Sequence, residues 1–139
     1  MKTLFIDTNI IIDLIAQQEP YYQPIAKIAT LAESKKLKMI ATPLSFVNTF
    51  YVLSKHMDKK KLSAFLTKLR IICDVAPTNA NTVDKALASG FNDFEDAVQY
   101  HSALAVKSDI FITRNKKDFK KTEIPVMTAA EFLSSINKK

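Results

Sequence analysis

Strand-like and helix-like stretches alternate along the whole of this 139-residue chain, which predicts an α/β domain built on a parallel sheet of about five strands. Two further observations support that class. The opening run Leu4-Phe5-Ile6, led by Thr3, is short and apolar and stops at Asp7, as expected of a strand buried on both faces. Between such runs the apolar residues recur at helical spacing, as in Tyr21, Ile25, Ile28 and Ala32. No internal repeat, low-complexity segment or linker interrupts the pattern, so residues 1–139 are read as one domain.

Taken in order, a strand over 3–6 leads into a short helix over 10–16 and a longer one that ends near Lys35-Lys36. Lys38 to Ala41 read as the second strand. Thr42-Pro43 then opens a helix, with Thr as N-cap and Pro in the first turn. On that helix Leu44, Tyr51 and Val52 are assigned to one face, with Asn48 among them. Leu62, Phe65, Leu66 and Leu69 mark the next helix, and Arg70 to Val75 the third strand. A short helix carrying Val83, Ala86 and Leu87 ends at Gly90, the only glycine. Phe94, Ala97, Val98, His101 and Ala105 are taken as the buried stripe of the following helix. Ile110 to Ile112 form the fourth strand and Ile124 to Met127 a weak fifth, whose proline suits an edge. Thr128-x-x-Glu131 is a capping box for the last helix, with Phe132, Leu133 and Ile136 facing inward.

Composition removes several function classes. The residues are 47% apolar and 24% charged, ordinary for a globular chain. No apolar run approaches the roughly 20 residues that span a bilayer, and Asp7 and Asp13 interrupt the only stretch resembling a signal peptide, so no membrane partner and a cytoplasmic location are expected. One cysteine, Cys73, excludes an internal disulfide and a Cys-cluster zinc site, and one glycine excludes the Gly-rich phosphate loops. The net charge of +6 permits a polyanionic partner, with the densest basic runs at 59–61, 114–117 and 120–121. Solvated surface faces explain such runs equally well.

Carboxylates then stand out. Asp7 ends the first strand, where open α/β sheets place their ligands. Asp93 and Asp96 open the helix that leads into the fourth strand, and Asp118 follows that strand. Gathered on one rim, they would repel one another unless a cation sat among them, and hard oxygen ligands suit Mg²⁺ or Mn²⁺. Each also has a plainer role. Asp93 and Glu95 complement a helix dipole, Asp118 suits a turn, and Asn48 is either a structural amide or a member of the same pocket. His56 and His101 are weak catalytic candidates, His56 near a helix end and His101 on a packed stripe.

The segments FIDTNIIIDL, FEDAVQYHSALA and DIFITRNKKDF, in this order, resemble a PIN domain of the VapC toxin ribonuclease type over Met1 to about Leu133. The resemblance implies a three-layer α/β/α sandwich with helices on both sides of the sheet. It also implies a Mg²⁺- or Mn²⁺-dependent endoribonuclease, with RNA as substrate, a cognate antitoxin and a homodimer. Asp7 matches the family's first acid and Asp96 its third, the expected metal ligands; Thr8 and Asn9 match the polar pair after the first acid, and Thr113 the hydroxyl after the fourth strand. Two positions depart: Asn48 stands where the family usually has glutamate, and Asn115 where it often has aspartate. Asp118 is close enough to Asn115 to take its role, and Asp93 adds charge nearby. Arg114, Lys116 and Lys117 are expected to meet the RNA backbone. Two amides in place of carboxylates remove about two charges, which lowers metal affinity and leaves at most one ion. The alternatives are a catalytically weakened module that binds RNA or a protein partner, and a small-molecule phosphohydrolase. The latter is disfavoured because Asn9 stands where the haloacid-dehalogenase class needs a second acid.

Overall fold

The computed structural model describes residues Met1 to Asn137 as a three-layer α/β/α sandwich around one five-stranded sheet. The strands are β1 (Thr3–Ile6), β2 (Lys38–Ala41), β3 (Cys73–Val75), β4 (Ile110–Ile112) and β5 (Val126–Met127). They lie in the order β3-β2-β1-β4-β5, and every neighbouring pair is parallel. The helices are α1 (Thr8–Ala16), α2 (Tyr22–Glu33), α3 (Pro43–Leu53), α4 (Lys59–Ile72), α5 (Ala80–Ala88), α6 (Phe94–Ala105) and α7 (Ala129–Asn137). None of the described helices is long and apolar enough to cross a membrane.

The two-residue period of the strands divides the core. Leu4, Ile6, Met39, Ala41, Cys73, Ile110 and Ile112 face one side, where they pack with residues of α1, α2, α3, α4 and α7. Phe5, Ile40 and Phe111 face the other, against Tyr100 and Ala103 of α6. There the Phe5 and Phe111 rings stack with centroids 5.1 Å apart, and Phe119 closes over Phe111 at 4.7 Å. Because β1 is central and β2 and β4 lie on opposite sides of it, the strand order reverses between β1 and β4. Their carboxyl ends frame the crevice where a ligand site is expected in such a sheet.

The caps form as their residue types dictate. Thr42 accepts a hydrogen bond from Ser45 N at 3.1 Å, with Pro43 at the first position of α3. Thr128 and Glu131 close a reciprocal capping box at 3.1 and 2.9 Å. Gly90 follows α5 at φ +77°, a left-handed conformation that favours glycine.

Four expectations need correction. Arg70 to Ile72 belong to α4 rather than β3, because Ile72 continues the Leu62, Leu66, Leu69 stripe at helical spacing. Ile71 then points outward and is 80% exposed. On α3 the buried residues are Ser45, Thr49 and Leu53, whereas Tyr51 is 64% exposed and Val52 is also outward. On α6 the buried residues include Gln99 and Ser102, while Phe94 and Ala105 are exposed. Leu87 and Ile136 are exposed rather than core.

Phe132 is the one large buried ring of α7, inside the cluster that joins α2 to the sheet. Phe132→Ala is expected to cost about 3–5 kcal/mol in urea unfolding. A loss below about 1 kcal/mol would show that α7 contributes little to the core.

Candidate functional site

Asp7 occupies the junction between β1 and α1. Its backbone N–H donates to Ile112 O at 3.0 Å, which carries the β1–β4 ladder one step past the strand end. Its side chain is the N-cap of α1, with Oδ1 accepting from Thr8 N at 2.8 Å. Oδ2 accepts from Thr113 Oγ1 at 2.9 Å. Thr113 is itself buried and accepts from Asn115 N at 3.2 Å and from Asn9 Nδ2 at 3.5 Å, while Asn9 Oδ1 accepts from Arg114 N at 3.3 Å. The residues after β1 and after β4 thus hold the same carboxylate.

Behind Asp7 lies a polar network that residue spacing does not announce. Gln99 is fully buried on α6, three residues after Asp96. Its Nε2 donates to Thr8 Oγ1 at 3.0 Å and to Ser45 Oγ, and its Oε1 accepts from Thr42 Oγ1 at 2.7 Å. Thr8 and Ser45 hydroxyls meet at 2.8 Å, and Thr8 Oγ1 donates to Glu95 Oε2 at 3.4 Å. The only advance sign was a glutamine inside the otherwise apolar run of α6.

The acids feel one another's charge. Burial is the main reason that the Asp7 carboxyl, 5% exposed, is pushed up to about 6; Glu95 adds to the rise, and Thr113, Thr8 and Gln99 oppose it. Asp96 is pushed up to about 7, by burial first and then by Asp7, Asp93, Asp118 and Glu95. Asp93 caps α6 through Asp96 N at 2.9 Å, the local role an acid at this position commonly has. Among the described residues, however, no three His, Cys, Asp or Glu side chains stand close enough to hold one metal ion together. The carboxylates share a field without forming a three-ligand cage.

Asn48 is half-buried beside Thr49 on α3, while Asn115 precedes and Asp118 ends an exposed short 3₁₀ turn over Lys116–Asp118. Of the three basic residues expected to meet RNA, two already have partners. Arg114 Nε lies 3.1 Å from Oδ2 of Asp13, a fully buried carboxylate whose pKa burial raises and Arg114 lowers. The Arg114 guanidinium also covers the Tyr21 ring at 4.4 Å. Lys116 Nζ pairs with Glu131 at 2.7 Å, an exposed contact that holds the Glu131 carboxyl below its usual value. Lys117 is exposed and lines a cleft of about 790 Å³ that also borders Asp93, Asp96 and Asp118.

The raised carboxyls set the sign of a pH response. Between the ordinary carboxylate pKa and about 6 to 7, the folded protein holds protons that the unfolded chain has lost. Stability therefore falls as pH rises through that window and levels off above it. Asp7 alone, shifted from 3.8 to about 6, contributes on the order of 3 kcal/mol to the fall. In metal-free buffer the melting temperature is expected to drop by several degrees from about pH 5 to about pH 8, with a flatter profile for Asp7→Asn. Scanning calorimetry of both proteins checks this; an unchanged slope in the variant would remove Asp7 as its source.

Comparison with known proteins agrees with this geometry. The chain is 28% identical over 142 residues to Ribonuclease VapC1 of Aquifex aeolicus, covering 98% of this chain and 96% of that protein. Its fold matches the DNA-bound VapBC structure from Salmonella typhimurium at a TM-score of 0.70 and 15% identity, covering 93% of this chain and 99% of that one. A toxin–antitoxin complex from Klebsiella pneumoniae matches at a TM-score of 0.67 and 18% identity, covering 91% and 97%. The PIN domain sequence model matches residues 3–117, and since that is most of the chain, the protein belongs to the PIN domain family.

Proposed function

We propose that this chain is a toxin-type PIN-domain protein that binds RNA beside a weakened acidic pocket, with at most one divalent ion held on Asp7 and Asp96 and with phosphodiester cleavage slow or lost. The observation that carries this reading is the pairing of two proton-hungry carboxylates with no third acid placed to complete a metal cage among the described residues. Asn48 and Asn115, amides at positions usually acidic in the family, are the chemical reason.

One hard ion fits this donor set. Both carboxylates are partly or wholly out of water, and a cation would offset the repulsion that now favours protons. Mg²⁺ commonly keeps several waters and takes only one or two carboxylates besides substrate phosphates, so two protein ligands suffice for a loose site. When bound, such an ion supplies Lewis-acid polarisation of a phosphoryl oxygen. The protein's own part is orientation: Thr113, Thr8 N and the Gln99 network hold Asp7 in one position.

A second reading, a fully competent Mg²⁺- or Mn²⁺-dependent endoribonuclease, is favoured by Glu95. Its carboxylate lies 3.4 Å from Thr8 Oγ1 and raises both Asp7 and Asp96, so it supplies charge where Asn48 does not. Under either reading the proposed partners are RNA, a cognate antitoxin and a second copy of the chain, in keeping with relatives solved as toxin–antitoxin complexes.

Calorimetry with Mg²⁺ and Mn²⁺ separates the readings. A single weak site, lost in Asp96→Asn, with RNA binding retained in EDTA, is the expected result. Asn48→Glu is expected to tighten the ion and raise cleavage about tenfold or more, because a further carboxylate adds charge to the ligand set. Two tightly bound ions in the wild type, with rapid cleavage abolished by Glu95→Gln, would overturn the weakened-site reading in favour of the second.

A further inference from the structure

The cleft beside Asp96 has a composition of its own. Residues 89–96 supply one side and residues 117–123 the other, with Tyr100 and His101 of α6 also lining it. Its volume, about 790 Å³, is that of a small-ligand site. Neither Asp7 nor the Gln99 network borders it.

Phe91 presents an aromatic surface there. The ring is half-buried and braced by Tyr100, Phe119 and His101 at centroid distances of 5.6, 5.9 and 6.3 Å. A ring fixed from behind loses little freedom when another ring stacks on its open side. At the preceding residue, Gly90, a Cβ would meet nothing within 4 Å apart from its chain neighbours. His101 adds an uncharged aromatic edge, since burial and then Lys85 hold its pKa below the ordinary value, against the opposing pull of Glu123.

The cations lie on the other segment. Lys117, Lys120 and Lys121 are exposed, and among the described residues none of them is in an ion pair, unlike Arg114 and Lys116. The acids Asp93, Asp96 and Asp118 also line the cleft, and Asp93 and Asp118 each raise the Asp96 carboxyl. A phosphate is repelled there in the absence of a cation, but is attracted by the lysines. Aromatic surface with adjacent free cations is the arrangement that binds single-stranded nucleic acid through its bases and backbone.

We propose that this cleft is a nucleobase subsite: one unpaired base of an RNA strand stacks on Phe91, and its adjoining phosphate is met by Lys117 and Lys120. The subsite rests on the RNA-binding reading above and deepens it, because a base inside a duplex has both faces already stacked and cannot enter. Strand choice then resides in α6 and the two segments that flank it, beside Asp96 rather than at Asp7.

The test is RNA binding in EDTA, where cleavage does not intervene, using a short unstructured RNA, the same RNA with single abasic positions, and a stable hairpin stem. The wild type is expected to bind the unstructured RNA more tightly than the stem. One abasic position should weaken binding by about five- to fiftyfold. Phe91→Leu, which keeps an apolar side chain at the position, should cause a similar loss while the protein stays folded by circular dichroism. Lys117→Ala with Lys120→Ala, both on the surface, should lower the salt dependence by about one phosphate contact. Equal affinity for all three RNAs in the wild type would overturn the subsite while leaving RNA binding intact, and this comparison needs no variant to fold. Failure of the wild type to bind any RNA would instead overturn the reading on which the subsite stands.

Discussion

Keeping one carboxylate almost dry at the end of a central strand is the constraint around which this molecule is arranged. A buried carboxylate costs several kcal/mol unless its oxygens are hydrogen-bonded. Asp7 meets that condition by drawing its donors from two places, the first turn of α1 and the residue after β4. The same residue continues the β1–β4 ladder through its backbone. Strand order, helix start and site geometry therefore meet in one amino acid, at the point where the sheet reverses its order.

The Gln99 network extends this constraint to the rest of the fold. Thr8, Thr42, Ser45 and Gln99 are all buried, and together they connect α1, the start of α3 and α6. A network of this kind stabilises only when every member is satisfied, since a lone unpaired amide in a dry site is costly. The result is that α6 cannot shift without disturbing Asp7, and Asp96 rides on the same helix. The fold thereby keeps two mutually repelling carboxylates within reach of each other's charge.

Much of the fold was legible in the sequence because buried parallel strands leave a plain signal. Leu4-Phe5-Ile6 and Ile110-Phe111-Ile112 read correctly as strands, and Thr42-Pro43 and Thr128-x-x-Glu131 as helix starts. The third strand was misjudged because Ile71 and Ile72 carry strand propensity while the helical stripe of α4 runs on through them. The faces of α3 and α6 were misjudged because helical spacing identifies large apolar residues, whereas Ser45 and Gln99 are buried through hydrogen bonds. At the site, Asp7 and Asp96 were visible as acids at element ends, but the pairing of Arg114 with Asp13 joins residues about a hundred positions apart. No local pattern encodes such a contact.

Both margins of the sheet are very short: β3 has three residues and β5 has two, preceded by Pro125. Strand edges with unpaired backbone groups are where chains add to one another, and brevity and proline are the usual protections against it. Growth of the sheet from chain to chain is thereby disfavoured, and the protein is guarded against fibrous aggregation. Apolar side chains left outward stand instead on helix surfaces, Val47 and Tyr51 of α3 among them.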